Sequence, residues 1–286
     1  MIKRKLGVVG ASVLLVATGA TTMTAEASGS AAAASSALAG TVAVSIDGSR
    51  VITMPTTIQP GVNTFSVKVA KPGSFQIAQT APGYTTDMVT ADIEAGLDKG
   101  DAKAQKRFEE NTTLLGGVTA FPGTTGKLVV DLPAGDYLAL DTWGRTPKFT
   151  SFTVAGADTG ATAPSSRTIK AIKDVTLAKK PASIPNKGWL TFKNASSQNH
   201  FLLVVALKPG KTYKDFLAYA DGHFEGKPPV SFQNAMEVGV IDPGKKATVK
   251  YRLPKGKYVA ICFWPDANQG GMPHAMMGMH RALTLK

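Results

Sequence analysis

The chain has 286 residues and a formal net charge of +12, with 32 Lys and Arg against 20 Asp and Glu. Its single cysteine excludes an internal disulfide, so stability must come from packed cores. Basic residues do not alternate with aromatic ones, which argues against nucleic-acid binding. A basic surface instead favours anionic partners, such as the cell envelope or an acidic protein.

The N-terminal 27 residues are typical of a signal peptide. A basic start (3–5) precedes an apolar stretch from 6 to about 20, and Ala-Glu-Ala at 25–27 forms a small-x-small cleavage site. The apolar stretch is too short and too rich in small residues for a good transmembrane span. Residues 28–40, rich in Ser, Ala and Gly, indicate a flexible tether. We therefore predict a secreted or cell-envelope protein whose mature chain has no transmembrane segment.

The rest of the chain repeats itself. Two pairs of segments share their pattern and their order: Gly-Val-Asn-Thr-Phe at 61–65 with Gly-Trp-Leu-Thr-Phe at 188–192, and Leu-Pro-Ala-Gly-Asp-Tyr at 132–137 with Leu-Pro-Lys-Gly-Lys-Tyr at 253–258. Ordered recurrence over this length indicates duplication. We predict two copies of one domain, at 41–156 and 165–286. A linker rich in Gly, Ala, Thr and Ser, at 155–166, joins them.

Each copy is predicted to consist mainly of strands. Apolar and polar residues alternate at 65–69 in the first copy and at 247–251 in the second, as in strands with one buried face. Residues 201–207 form a continuous apolar run, which is typical of a strand buried on both faces. Pro-Gly pairs supply the turns between strands.

A short helical insertion is predicted in the middle of each copy. Residues 101–110 are polar and rich in Ala and charge in the first copy, and Thr-Tyr-Lys-Asp at 212–215 has the pattern of a capping box in the second. Many short strands with turn signals predict an all-β fold. We therefore expect two tandem Greek-key β-sandwich domains with short helical insertions.

The second copy collects side chains that suit a metal. Cys262 closes an apolar run, His274 follows twelve residues later, and Met279 five after that, while His200 stands at the start of the apolar run upstream. A thiolate, imidazoles and a thioether are soft ligands suited to copper. We predict His200, Cys262, His274 and Met279 as candidate metal ligands.

The first copy contains neither histidine nor cysteine. Asp141 occupies the position that corresponds to Cys262, and Gly73 the position that corresponds to His200. A similar sandwich thus manages without the ligand set, so folding alone does not require it. This contrast favours a functional role for the ligand residues in the second copy.

The second copy resembles the cupredoxins, the blue copper proteins, through three motifs: Phe192-Lys-Asn194 six residues before His200, Gly256-Lys-Tyr258 four residues before Cys262, and His274 five residues before Met279. The resemblance implies cupredoxin-like domains and a mononuclear type 1-like copper site. It also implies that two histidines and the cysteine are equatorial ligands and Met279 is the axial one. Its implied activity is electron transfer.

One departure concerns the eleven residues between Cys262 and His274, a gap longer than is usual in small blue copper proteins. A longer loop can extend outward and return, because closing it costs little extra entropy. Met272, Met276 and Met277 remain alternatives to Met279 as fourth ligand, and His280 is a further competitor for the site. The other two histidines, His223 and His280, are expected to point into solvent.

Several functions remain open on sequence alone. The first is electron transfer with an unknown redox partner protein. The second is a Cu(I) chaperone that uses the Met- and His-rich loop and hands copper to a metal-transfer partner. The third is a metal-free envelope binding module. A redox enzyme is not expected, and no catalytic residues are predicted, because four histidines are too few for an additional catalytic copper centre.

Overall fold

The computed structural model describes residues 40–144 and 146–286. The predicted signal peptide (1–27) and nearly all of the predicted tether (28–40) lie outside these residues. Within them, none of the helices has the length and hydrophobicity that a bilayer crossing requires.

The first copy contains nine strands and a helical insertion. The strands are β1 (Thr41–Ile46), β2 (Ile52–Thr53), β3 (Thr57–Ile58), β4 (Gly61–Val69), β5 (Gly73–Thr80), β6 (Thr112–Ala120), β7 (Gly126–Leu132), β8 (Gly135–Asp141) and β9 (Lys148–Val154). Between β5 and β6 lie helix α1 (Thr86–Asp92), a π-helical segment (Ile93–Asp98) and helix α2 (Ala102–Asn111).

The second copy contains eleven strands and one α-helix. The strands are β10 (Arg167–Lys173), β11 (Thr176–Leu177), β12 (Ser183–Ile184), β13 (Lys187–Asn194), β14 (His200–Leu207), β15 (Val230–Ile241), β16 (Lys246–Arg252), β17 (Gly256–Ile261), β18 (Pro265–Asp266), β19 (Met272–Pro273) and β20 (His280–Leu285). Helix α3 (Tyr213–Asp221) follows β14, and two 3-10 turns (Ala267–Gln269 and His274–Met277) flank β19.

The predicted all-β sandwich fold is confirmed, but the two copies share their sheets. One sheet has eight strands in the order β11-β10-β13-β16-β7-β4-β1-β2, and the other has ten in the order β12-β20-β17-β14-β15-β6-β5-β8-β9-β3. Strands β16 and β7 join the copies in one layer, and β15 and β6 join them in the other, where Ile241 pairs with Leu115. Pairing across the copies holds them side by side.

Burial follows the sequence pattern. Strand β4 alternates between buried and partly exposed residues, because one of its faces lies on the core. Strand β14 is buried from His200 through Val205, as its continuous apolar run predicts. It lies between β15 and β17, so it occupies the interior of the ten-stranded sheet.

Helices α2 and α3 each begin after a residue whose side chain caps the helix N-terminus. Asp101 accepts hydrogen bonds from the backbone N–H groups of Lys103 and Ala104 and starts α2. Thr212 and Asp215 form the predicted capping box at α3, each side chain accepting from the other's backbone N–H. Helix α1 and the π-helical segment had no counterpart in the sequence prediction.

Candidate metal centre

The candidate site lies at one end of β14 and β17. These strands pair antiparallel, with Leu203 opposite Ile261, so the start of β14 and the end of β17 meet at the same edge. His200 opens β14, and Cys262 directly follows β17. Antiparallel pairing therefore brings together two residues that are 62 positions apart in the chain.

Asn194 organises the turn that leads into His200. Its side-chain amide is fully buried and donates to the carbonyl oxygens of Gln198 (2.7 Å) and Ile241 (3.0 Å). Its side-chain oxygen accepts from the backbone N–H (3.0 Å) and the hydroxyl (2.7 Å) of Ser196. These four bonds tie the turn to β15 and set the point at which β14 begins.

The eleven-residue gap returns His274 to Cys262 through a small hairpin. Strands β18 and β19 pair, with Pro265 opposite Pro273, and the segment between them extends outward. The backbone N–H of His274 donates to the carbonyl of Trp264 (2.9 Å). His274, which is 12 residues from Cys262 in the chain, thus lies next to the residues that directly follow Cys262. The expectation that a longer loop can extend and return agrees with this geometry.

Three ligand atoms converge in the resulting pocket. The two Nδ1 atoms of His200 and His274 are 3.0 Å apart, and the Cys262 Sγ lies 3.7 Å from the first and 3.8 Å from the second. All three side chains are fully buried. Ligand bonds of about 2.0 Å to nitrogen and about 2.3 Å to sulfur, arranged trigonally around one centre, give sulfur–nitrogen separations of about 3.7 Å. The three atoms fit one shared metal ion.

Burial keeps the ligand side chains neutral in the absence of a metal. It lowers the pKa of His200 to about 3, with the nearby His274 contributing, and lowers the pKa of His274 to about 4. Burial also raises the pKa of the Cys262 thiol to about 12. The imidazoles are thus ready to act as neutral donors, whereas the thiol must lose its proton to a bound cation.

Met279 is the best placed of the four methionines near the site. It is fully buried, and its backbone carbonyl accepts from the Cys262 N–H (3.1 Å) while its own N–H donates to the His274 carbonyl (2.9 Å). Met272 is 43% exposed, and Met276 and Met277 are half-buried. Of the four methionines, Met279 is thus the fully buried one, and its backbone is bonded to Cys262 and His274.

The two remaining histidines differ from each other. His223 is exposed and lies in a turn with φ of 57°, in agreement with the expectation for it. His280 is half-buried, and its Nδ1 lies 2.9 Å from the hydroxyl of Tyr213. The expectation that His280 points into solvent is wrong, because α3 packs Tyr213 and Phe216 against its ring.

In the first copy, an ion pair occupies the place that corresponds to the candidate metal site. Asp141 is fully buried, and its carboxylate accepts from the guanidinium of Arg50 (2.5 Å) and from the backbone N–H groups of Ser74 and Trp143 (3.0 Å each). A Cβ placed on Gly73 would lie 3.6 Å from the Asp141 carboxylate. A salt bridge thus replaces the ligand set. Arg50 carried no signal in the sequence, because its partner is 91 residues away.

The first copy also contributes to the surroundings of the metal centre. From α2, Glu109 accepts from the indole N–H of Trp264 (2.7 Å), and Gln105 donates to the carbonyl of Pro265. Both contacts hold the start of the hairpin that carries His274. Sequence analysis missed them, because helix and hairpin belong to different copies.

One cleft leads from the surface to His274. It has a volume of about 330 Å³, and its lining includes four acidic residues, one lysine and several amides: Glu109, Glu110, Asp242, Asp266, Lys106, Gln198, Asn199 and Asn268. The Nε2 atom of His274 is buried and finds no hydrogen-bond partner in the described part of the chain. The cleft is locally acidic although the whole chain is basic.

Comparisons with known proteins add structural neighbours. No protein-family model matches the sequence, and a search of curated proteins also finds no match. Auracyanin from Roseiflexus castenholzii overlaps 44% of this chain and 99% of its own, at 22% identity and a TM-score of 0.29. Auracyanin A from Chloroflexus aurantiacus, a "blue" copper protein, overlaps 43% of this chain and 100% of its own, at 15% identity and a TM-score of 0.28.

A longer neighbour is the copper-containing nitrite reductase from Thermus scotoductus. It overlaps 86% of this chain and 61% of its own, at 10% identity and a TM-score of 0.23. Identities and TM-scores this low do not establish a shared family. The chain's own residues do carry a conclusion: the cluster of His200, Cys262 and His274, with Met279 next to it, fits a cupredoxin-like ligand set and is compatible with copper.

Proposed function

We propose that this chain is an exported copper protein that transfers single electrons through one mononuclear type 1-like site. In this proposal His200, Cys262 and His274 are the equatorial ligands and Met279 is the axial ligand. The observation that carries the proposal is the convergence of two Nδ1 atoms and one thiol sulfur within 3.8 Å in a fully buried pocket.

The direction of the two imidazoles supports the proposal. Their Nδ1 atoms face each other and the sulfur, and at most one of them can use a proton to bond to the other. Three electron-pair donors directed at one point are best satisfied by a cation between them. The first copy supports the same conclusion, because there Arg50 supplies the positive charge opposite Asp141.

The protein's contribution to electron transfer would be rigidity and exclusion of water. Copper, when bound, would supply the one-electron redox couple. Strand pairing fixes His200 and Cys262, and the backbone bonds through Met279 and Trp264 fix His274. Ligands that do not move between two oxidation states keep the reorganisation small. Full burial of all three side chains keeps water from the metal.

The acidic cleft is the proposed approach to the site. His274 lines this cleft. A redox partner docked there would therefore exchange electrons through the side of the metal site on which His274 lies. Acidic groups there favour a partner with local positive charge. The overall basic charge separately favours attachment to an anionic cell-envelope surface. The proposed location is the exterior or the cell envelope, as the N-terminal pattern predicts.

We do not assign an enzymatic reaction to the site. Of the two histidines outside the ligand set, His223 lies on the surface, and the Nδ1 of His280 faces the hydroxyl of Tyr213. A second catalytic copper centre would need several histidines near the first. The arrangement of the described residues thus favours electron transfer over oxidation of a substrate by a copper cluster.

Copper titration of the mature protein, followed by visible and EPR spectra, tests the proposal. We expect one copper per chain and a strong thiolate-to-copper band. Cys262→Ser removes the thiolate and should abolish the band, whereas His223→Ala changes an exposed histidine and should leave it intact. A band that survives Cys262→Ser would refute the site.

The same experiment separates a second candidate function. Met272 is exposed beside the site, which favours transfer of Cu(I) to a partner protein. A colourless protein that binds Cu(I) tightly and loses affinity on Met272→Leu would favour this copper-handling role. Equal copper uptake by wild type and by Cys262→Ser/His274→Ala would instead favour a metal-free binding module.

A further inference from the structure

A second cavity lies between the two copies, on the side of the ten-stranded sheet that the first copy's helical insertion covers. Its volume is about 130 Å³. Leu97 and Phe108 of the insertion line one side, and Phe201, Phe263 and Trp264 of the second copy line another. The walls are therefore mainly apolar and aromatic.

The cavity lies beside the junction of β15 and β6, where the two copies approach each other closely. Strands β15 and β6 pair at Ile241 and Leu115. Towards the cavity, Gly239 passes so close to Gly117 that a Cβ on Gly239 would lie 2.7 Å from the Gly117 backbone. The side-chain amide of Gln76 donates to the Val240 carbonyl (2.9 Å) at the same junction. These contacts join the two copies beside the cavity.

Two carboxyl groups line this space, that of the exposed Asp98 and that of Glu237. Glu237 on β15 lines the cavity, and the hydroxyl of Thr119 on β6 donates to it (3.0 Å). None of the ion pairs between described residues includes Glu237. Burial raises the pKa of this carboxyl, so it favours the protonated form and can donate a hydrogen bond. The Thr119 hydroxyl occupies one of the two carboxyl oxygens of Glu237.

Size and chemistry together define an occupant. A dry cavity of about 150 Å³ lined by apolar side chains holds one benzene ring. Aromatic walls favour a flat ring by edge-to-face and offset-stacked contacts. An oxygen on that ring would give the Glu237 carboxyl a second hydrogen-bond partner beside Thr119.

We propose that this cavity is a binding site for a small phenol, a single aromatic ring whose hydroxyl forms a hydrogen bond with Glu237. The ring would contact Phe263 and Trp264, which directly follow Cys262 in the chain. The bound phenol would therefore lie beside the metal centre without touching its ligands. The site does not depend on the proposed copper chemistry, because its walls are complete without a metal.

Ligand-observed NMR titration of the full-length, metal-free protein with phenol tests this site. Wild type should bind phenol saturably. Glu237→Leu replaces the carboxyl by an apolar group of similar size and should weaken phenol binding by about tenfold or more. Leu97→Trp fills the cavity from the helical insertion and should abolish binding.

Glu225→Leu is the matched control, because Glu225 is an exposed acidic residue in the same copy. It should bind phenol as wild type does. Benzene, which lacks the oxygen, should bind wild type and Glu237→Leu about equally. Absence of saturable phenol binding by wild type would overturn the proposal. Equal phenol affinities of wild type, Glu237→Leu and Leu97→Trp would also overturn it.

Discussion

Replacing Asn194 by alanine should weaken both the fold and the metal site. The side chain makes four hydrogen bonds while fully buried, to Ser196, Gln198 and Ile241. At about 1 kcal/mol for each bond, Asn194→Ala should lower the free energy of unfolding by about 3 to 4 kcal/mol. Because these bonds set where β14 begins, His200 should lose its fixed position.

The effect on copper follows from the fraction of molecules with His200 in place. If loosening the turn costs that arrangement about 1.4 kcal/mol, the apparent affinity for copper falls about tenfold. Urea denaturation measures the stability, and competitive copper titration measures the affinity. Both measurements use the mature wild type as reference.

Asn63→Ala provides the control in the first copy. Asn63 is also buried, and its amide donates to two backbone carbonyls, those of Gln59 (2.9 Å) and Gly61 (3.0 Å). Losing these bonds should destabilise the protein by about 2 kcal/mol without changing the copper affinity of the folded protein. If Asn194→Ala and Asn63→Ala shift copper affinity by the same factor, then Asn194 does not position His200 and the reasoning is refuted.

Three further substitutions test other parts of the structure. Burial raises the pKa of Asp242 to about 6 from 3.8, so its ionised form costs stability above pH 6, and that cost disappears as the pH falls towards 3.8. Asp242→Asn keeps an oxygen for the Leu114 N–H and should raise the Tm at pH 8 but not at pH 4, and a gain independent of pH would contradict this. Arg50→Met leaves the buried carboxylate of Asp141 without its cation and should cost about 3 to 5 kcal/mol in urea denaturation, with copper uptake unchanged. Met279→Leu conserves volume, so the thiolate-to-copper band should persist while voltammetry shows a shifted reduction potential, and loss of the band would contradict an axial role.

Much of the chain could be predicted from local patterns. Alternation of apolar and polar residues, the continuous apolar run of β14 and the capping box at Thr212 each depend on residues within a few positions. The recurrence of 61–65 at 188–192 predicted the duplicated sandwich. The contrast between Cys262 and Asp141 at matching positions directed attention to the end of the second copy where His200, Cys262 and His274 lie together.

Contacts between distant segments could not be predicted in this way. Hydrophobic periodicity does not show that β15 pairs with β6, so the shared sheets and the cavity beside Glu237 had no signal in the sequence. The π-helical segment was missed for a similar reason, since its irregular backbone packs against α2, where Gly96 approaches the backbone of Gln105.

The amino-acid sequence determined which side chains are available to bind a metal: one thiol, two imidazoles and a thioether in the second copy, whereas the first copy has neither cysteine nor histidine. The tertiary structure decided that they meet, because antiparallel pairing of β14 with β17 and the hairpin at 265–273 bring distant residues within 3.8 Å. Helix caps and strand patterns depend on neighbours along the chain. The return of His274 to Cys262 across the eleven-residue gap depends instead on backbone hydrogen bonds and on Glu109 and Gln105 from the other copy.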